Sequence, residues 1–213
     1  MSYQIARWAG VFGHEYTDRN MSNRFEMDAI YKKNFGITRQ QMNEEFLSDL
    51  DKDIAVLEVG CNVGNQLILL ADMGFKKLYG IELSDYAFEI AKKRIETKGI
   101  SFIKGSALDI PFRDGFFDMV FTSGVLIHIH PADIQKAISN IHRCSGKYIW
   151  GFEYYAESYQ EVLYREHKNL LWKTDFAKLY KDAFSGLKLI KEKKYIYLDD
   201  IVKQIRFSKF ARQ

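Results

Sequence analysis

The run Ala55-Val-Leu-Glu-Val-Gly-Cys-Asn-Val-Gly-Asn65 constrains this chain more than any other segment. It reads as a buried strand that breaks into a glycine turn and enters a helix over Gln66–Met73. A chain that turns this sharply at the C-terminal end of a strand presents bare backbone N–H groups to a ligand. Gly60 and Gly64 stand four apart, so a Gly-x-Gly-x-x-Gly turn starting at Gly60 would need glycine at 62 and 65. Both positions are Asn, which argues against the pyrophosphate turn of a nicotinamide or flavin dinucleotide. What remains is acid-x-Gly-x-x-x-Gly, with Glu58 at the strand end. Its carboxylate, pointing into the crevice, suits a ligand that carries positive charge.

The rest of the chain alternates in the same way. Strand-like apolar runs at Ala55–Val59, Lys77–Ile81, Ser101–Lys104, Phe117–Thr122 and Lys147–Phe152 are separated by helical patterns at Gln66–Met73, Tyr86–Lys98 and Ala132–Cys144. Strict βαβ alternation predicts an α/β fold with a doubly wound, mostly parallel sheet. Ser84 and Asp85 supply an N-cap region, and Pro131 is expected in the first turn of its helix. Tyr159–Phe184 reads as one long helical stretch. Leu187–Leu198 then alternates as a strand, Asp199-Asp200 turns, and Ile205–Phe210 returns as its antiparallel partner. The expected organisation is a single domain over 1–213: a helical N-terminal cap (1–50), a core (51–150), and substrate-side helices with a C-terminal hairpin (151–213).

Composition removes several classes. With 31 basic and 28 acidic residues the net charge is +3, too even to point to nucleic acid. No apolar run is long enough for a membrane span, and the N-terminus opens no signal peptide. Two cysteines, Cys61 and Cys144, make neither a disulfide framework nor a zinc cluster, so a reduced cytoplasmic setting and no metal are expected. Cys61 reads as a small packed residue.

Four motifs in order carry a resemblance. The turn around Glu58, Gly60, Asn62 and Gly64 resembles motif I of the class I S-adenosylmethionine-dependent methyltransferases, with Asn62 where the family usually has its middle glycine. Glu82, 22 positions beyond Gly60 at the end of the second strand, fits the acid that accepts both ribose hydroxyls, and Leu83 follows it. Ser106, Ala107 and Leu108 occupy the places that surround the adenine in that family. Thr122, Ser123 and Gly124 would lie beside the methionine portion. The resemblance implies a seven-stranded, Rossmann-like sheet with an antiparallel C-terminal hairpin, and S-adenosyl-L-methionine as cofactor. Asp118 reads as a structural residue at a strand entry.

A narrower resemblance rests on Trp8–Asn20, on Gly124–Pro131, and on Glu153-Tyr-Tyr with Tyr164–His167. These recur together in the pseudaminic acid biosynthesis-associated methylases, which this chain resembles from about Trp8 to Tyr197. It implies a small-molecule acceptor such as a sugar, a sugar nucleotide or a related acidic metabolite, methylated on oxygen or, second, on nitrogen. No nucleic acid or membrane is expected as partner, and the chain would be a monomer or homodimer.

Segments that follow strands four and five should face the ligand crevice. Tyr16 and Arg19 could fold over the cofactor, Arg19 forking its carboxylate. Tyr154, Tyr155, Tyr164 and Trp172 offer flat faces to an acceptor, and Arg165, His167 and Lys173 offer donors. The candidate bases, in order, are His128, Glu153 and His167. Each has a plainer reading as well: packed tyrosines, a surface ion pair for Arg19, a hydrogen-bonded structural His128, a loop residue at His130. Two rival functions share the pattern, a non-catalytic binding module on this fold and an NAD(P)-dependent oxidoreductase.

Overall fold

Capping signals in the sequence start several elements of the computed structural model, which describes residues 3–95, 98–200 and 202–213. The chain forms two compact units, Met1–Ser106 and Ala107–Gln213.

The first unit opens with four short helices, α1 (Tyr3–Ala9), α2 (Val11–Asn20), α3 (Arg24–Phe35) and α4 (Arg39–Leu47). Capping boxes start two of them. Asn23 and Glu26 exchange side-chain and backbone bonds at the head of α3, and Thr38 and Gln41 do the same for α4. The α1–α2 junction is tight: a Cβ on Gly13 would fall 1.8 Å from the Trp8 carbonyl oxygen, so only glycine fits. Then follow β1 (Ala55–Val59), α5 (Asn65–Asp72), β2 (Lys77–Glu82), α6 (Asp85–Ile95) and β3 (Ser101–Lys104). The three strands pair in parallel, Leu57 opposite Tyr79 and Ile81 opposite Ile103. Val56, Leu57, Val59, Ile81, Leu67, Leu69 and Leu70 are fully buried, each side chain stabilising the fold by roughly 1.5–3 kcal/mol relative to exposure. The Ser84 hydroxyl accepts from the Ala87 N–H, so the expected cap of α6 is present. The expected extension of this helix through Glu96 and Thr97 lies outside the described residues.

The second unit holds β4 (Phe117–Ser123), a 3₁₀ turn (Leu126–His128), α7 (Ile134–Cys144), β5 (Ser145–Tyr154), β6 (Gln160–Glu161), β7 (Trp172–Lys173), α8 (Phe176–Ala183), β8 (Leu187–Ile196) and β9 (Gln204–Arg212). Strand β5 pairs in parallel with β4 and antiparallel with β9, and β8 closes the antiparallel hairpin. The Asp199-Asp200 turn is present, with the Lys203 N–H donating to the Asp200 carbonyl. Phe121, Trp150 and Phe207 are almost wholly buried, with ring centroids 5.0 and 5.6 Å apart in sequence around Trp150. The sheet order is β3-β2-β1-β4-β5-β9-β8, the doubly wound, mostly parallel arrangement with an antiparallel end. Strand β8 is an edge, and it exposes Lys188, Lys191, Lys193 and Lys194.

Two sequence expectations fail here. Tyr159–Phe184 is no long helix: Gln160–Lys173 is a small antiparallel hairpin, and α8 starts only at Phe176, where Asp175 caps it through the Lys178 N–H at 2.8 Å. Glu161 competes with helix formation by accepting the Asn169 N–H at 2.6 Å, and Arg165, Glu166 and Asn169 take positive φ (50°, 66° and 60°). No α-helix survives those angles. Pro131 likewise stands ahead of its helix. Residues 131–133 form a separate turn, held by Asp133 N–H to the His130 carbonyl and Ala132 N–H to His130 Nδ1, so α7 begins at Ile134.

Candidate active site

In the first unit the turn between β1 and α5 has three residues at positive φ: Gly60 (70°), Asn62 (47°) and Gly64 (80°). Its N–H groups are not bare. Gly60 and Cys61 both donate to the Ile81 carbonyl, Gly64 to the Cys61 carbonyl, Val63 to Asn62 Oδ1, and Asn62 to Glu82 Oε2. The expectation of free donors at 60–64 is therefore corrected. Neighbouring strand ends and side chains come close enough to take every one of them.

Glu82 is the hub. Its carboxylate accepts from Asn62, Leu83 and Ser84 N–H, each at 2.8 Å, and is 8% exposed. Burial pushes its carboxyl up, and those three N–H groups pull it back. A carboxylate has about four lone-pair directions, so three accepted bonds leave room for a further donor. A ribose hydroxyl is such a donor.

Glu58 has another setting than expected. It is 3% exposed, and the positive charge that faces it belongs to Arg39 of the chain itself. Burial drives the Glu58 carboxyl well up, while Arg39 and the Leu67 N–H in the first turn of α5 draw it down. Glu58 Oε2 has no hydrogen-bond partner. Arg39, fully buried, donates to Asn43 Oδ1 (2.9 Å) and Tyr31 Oη (3.2 Å), and Asn43 reaches Gln66 at 3.4 Å. The positive charge felt by Glu58 is thus supplied within the chain, by Arg39.

Sequence reasoning missed how α2 is tied to the turn. Asn62 Nδ2 donates to Thr17 Oγ1 (3.2 Å) and Asn65 Nδ2 to the Asn20 carbonyl (2.9 Å). Arg94 donates to the Val63 carbonyl, Asn65 Oδ1 and the Ser22 carbonyl. The signal was present as Asn62 and Asn65, two side chains with donors where a glycine turn needs none. Tyr16 sits edge-on to Trp8 at 5.1 Å, and Arg19 faces Glu15 across one turn of α2 at 3.9 Å. Ser106 closes this unit, one residue beyond Gly105, whose N–H donates to the Glu82 carbonyl. Cys61 is buried and packed as expected: a Cβ on Gly80 would meet its Sγ at 2.7 Å.

In the second unit, Leu108 offers its carbonyl to Asn140 and Ala107 opens the same turn. Thr122 is 2% exposed at the end of β4, Ser123 follows, and Gly124 (φ 68°) donates its N–H to the Phe152 carbonyl. Glu153 Oε1 accepts from Val125 N–H (3.1 Å) and Oε2 from Ile127 N–H (3.4 Å). Burial raises its carboxyl to about 7 against the pull of the Thr122 hydroxyl and those N–H groups. Glu153 is the clamp that shapes the 125–127 backbone.

His128 Nδ1 lies 2.7 Å from the Leu170 carbonyl. A carbonyl can only accept, so Nδ1 carries the proton and Nε2 is the unprotonated nitrogen. Burial lowers this imidazole to about 4, keeping it neutral. The Tyr164 ring stands 5.4 Å away. His128, Glu153 and Tyr164 thus share one neighbourhood through the 125–128 loop and the 160–173 hairpin. Arg165 and His167 do not join it: both are exposed at the hairpin tip. Trp172 is 5% exposed against His130, a wall more than a platform. Tyr154 meets Tyr197 through hydroxyls at 3.2 Å and Lys173 over its ring, and Tyr155 carries Lys194 and Arg206 over its ring. A cavity of about 20 Å³, room for one water, is lined by Glu153, Tyr155, Tyr180, Arg206 and Ser208. Among the described residues no cluster of three or more His, Cys, Asp or Glu could hold a metal ion, and no helix is long and apolar enough to cross a membrane.

Residues 57–147 match the family described as a methyltransferase domain. The uncharacterized methyltransferase sll0829 of Synechocystis is 34% identical over 88 residues, 41% of this chain and 40% of that protein. The O-methyltransferase rstn1 of Aspergillus nomiae is 32% identical over 92 residues, 41% of this chain and 40% of that protein. The chain therefore matches well under half the length of these relatives. Among solved structures, the PH0226 protein of Pyrococcus horikoshii has a TM-score of 0.67 at 14% identity, covering 99% of this chain and 98% of that one. An S-adenosylmethionine dependent methyltransferase from Mesorhizobium loti has a TM-score of 0.61 at 11% identity, covering 76% of this chain and 94% of that one. The fold is that of the class I, Rossmann-like methyltransferases. The match to the methyltransferase domain covers residues 57–147, less than half of the chain.

Proposed function

We propose that the protein is an S-adenosylmethionine-dependent methyltransferase acting on a small molecule. The reading rests above all on Glu82, whose carboxylate is held by Asn62, Leu83 and Ser84 N–H with one lone-pair direction to spare. Residues fitted to the adenosyl group are Glu82 for the ribose, Gly60, Asn62 and Gly64 for the turn, and Leu83, Ser106, Ala107 and Leu108 for the adenine. Thr122, Ser123 and Gly124 would border the methionine portion, and Tyr16 and Arg19 of α2 would cover it. When bound, the cofactor supplies a methyl group already activated on a sulfonium.

What the chain must add is alignment and exclusion of water. Glu153 fixes the 125–127 backbone and so sets where His128 stands. His128, neutral with its proton on Nδ1, accepts a hydrogen bond at Nε2 from an acceptor hydroxyl or amine and orients it. Glu153, whose carboxyl lies near neutrality, takes the proton if one must leave during transfer. His167 is the third candidate, at the exposed hairpin tip.

The acceptor reading is O-methylation, with N-methylation second, of a sugar, sugar nucleotide or comparable acidic metabolite such as a nonulosonic acid derivative. The resemblance to pseudaminic acid-associated methylases supports it, and Tyr154, Tyr155, Tyr164, Arg165 and Trp172 are the acceptor-side residues that this resemblance implies. A cytoplasmic setting and a monomer or homodimer complete the reading. Calorimetry with S-adenosylhomocysteine tests the cofactor, and a metabolite screen following S-adenosylhomocysteine release tests the acceptor. Micromolar binding is expected. Absence of binding, with NAD(P)H bound instead, would replace this reading by an oxidoreductase.

A further inference from the structure

Asn62 is a non-glycine residue at φ 47°, where the family motif usually has glycine. A left-handed conformation is unfavourable for most side chains and mildest for Asn and Asp, whose short polar groups can bond locally. Here both polar atoms of the side chain are engaged. Oδ1 accepts the Val63 N–H at 2.7 Å, and Nδ2 donates to Thr17 Oγ1 at 3.2 Å, while the backbone N–H donates to Glu82 Oε2 at 2.8 Å. The donor pattern is consistent with a single proton count. Thr17 spends its only hydroxyl proton on the Gly13 carbonyl at 2.9 Å, so toward Asn62 it can only accept. Thr17 is 1% exposed, so this bond is sheltered from water.

One residue therefore touches three things: by its side chain the glycine turn and helix α2, and by its backbone N–H the acid fitted to the ribose. A second set of bonds supports the same connection from the far end of the turn. Asn65 holds the Asn20 carbonyl, and Arg94 bridges Val63 and Asn65 to the Ser22 carbonyl at 2.9–3.2 Å. Tyr86 adds a hydroxyl bond to Asp18 at 2.7 Å, with the His14 ring 4.6 Å from its own. Only Phe12, Gly13 and Thr17 of α2 are buried, so the helix is held to this turn by polar bonds much more than by an apolar face.

We propose that Asn62 is a positioning residue that couples the seating of α2 to occupancy of the cofactor site. The proposal rests on the cofactor reading above. A ligand hydroxyl on Glu82 draws the carboxylate toward itself. That carboxylate also holds the Asn62 backbone, and Asn62 holds Thr17. Ordering one end of this chain of bonds orders the other, so α2 closes firmly when the adenosyl group is present and loosens when it leaves. In a motif with glycine at this place the turn would still form, without the connection to α2.

Asn62→Gly tests this directly, since glycine accepts φ 47° without strain and the turn should survive. Calorimetry with S-adenosylhomocysteine should show a dissociation constant raised about tenfold, the equivalent of one or two ordinary hydrogen bonds. Thr17→Val should raise it by a similar factor, the double variant no further than either alone, and Thr17→Ser should restore native binding. Amide hydrogen exchange supplies a readout that a purely structural role would leave unmoved. In the native chain, saturating S-adenosylhomocysteine should slow exchange in α2; in Asn62→Gly, equally saturated, it should not. Native affinity in Asn62→Gly, or α2 protection that rises as much as in the native chain, overturns the proposal alone. A native chain that binds no S-adenosylhomocysteine overturns the cofactor reading and this coupling with it.

Discussion

Glu82 Oε2 accepts the backbone N–H of Asn62 at 2.8 Å across 20 residues of sequence, joining the end of β2 to the turn after β1. Replacing the acid by Gln turns an amide nitrogen toward backbone donors that need an acceptor. An unsatisfied buried donor costs about 1–3 kcal/mol. Glu82→Gln is therefore expected to lower the thermal midpoint and to weaken S-adenosylhomocysteine at least tenfold, about 1.4 kcal/mol. Calorimetry together with a melting curve checks both. Native affinity in this variant would mean that the ribose acid lies elsewhere.

Arg39 and Glu58 are both buried, and the Arg39 charge draws the Glu58 carboxyl down against the larger effect of burial. Removing one partner strands the other. Arg39→Met should destabilise the chain by about 3–5 kcal/mol, measured by urea unfolding, and Glu58→Gln in the same background should recover part of it. If Arg39→Met unfolds like the native chain, Glu58 is already neutral without its arginine.

Glu153 sets a pH dependence of stability whose sign is fixed by its raised carboxyl, about 7 in the folded chain against an ordinary value of 4.5. The folded state holds its proton after the unfolded state has lost it, so stability is full below about pH 4.5 and falls as pH rises toward about 7. The loss is on the order of 3 kcal/mol. Glu153→Gln should flatten this part of the stability curve in denaturant melts at stepped pH. A curve of unchanged slope would assign the effect to another group.

His128 stays neutral down to about pH 4, so it should add no inflection of its own near the usual imidazole value, and one near 7 belongs to Glu153 and persists in a His128 variant. His128→Phe keeps the ring and removes the Nε2 acceptor and the bond to Leu170. A drop in kcat of roughly 10²-fold is expected. Steady-state rates across pH decide it: an inflection near 6.5 in the native enzyme, absent from the variant, would show a titrating base instead.

Local features were legible in sequence where the residues themselves determine them. Val56, Leu57 and Val59 form an apolar run, broken at Glu58, that suits a parallel strand covered on both faces, and Gly60 with Gly64 marks the turn. Glu82 was legible by its distance from that turn, and the C-terminal hairpin by its alternation. Long-range polar contacts were not. Nothing near Glu58 in sequence announces Arg39, 19 positions earlier, as the cation that meets it, and nothing near Asn62 points to Thr17. The 159–175 stretch misled because its Tyr and Leu residues fall at helical spacing. Asp175 caps a helix that begins after them, and two consecutive positive φ angles at Arg165 and Glu166 make the hairpin tip.

The lysines on the outer rim of the sheet bear on how copies of this chain can meet. An unpaired strand offers open backbone donors and acceptors, which invite another strand to add. Here a second molecule laying its own β8 alongside would set Lys188, Lys191, Lys193 and Lys194 against their like, with Glu192 already engaged by Arg206. Repulsion of that kind blocks fibre-like growth through this border and turns any self-association toward other surfaces.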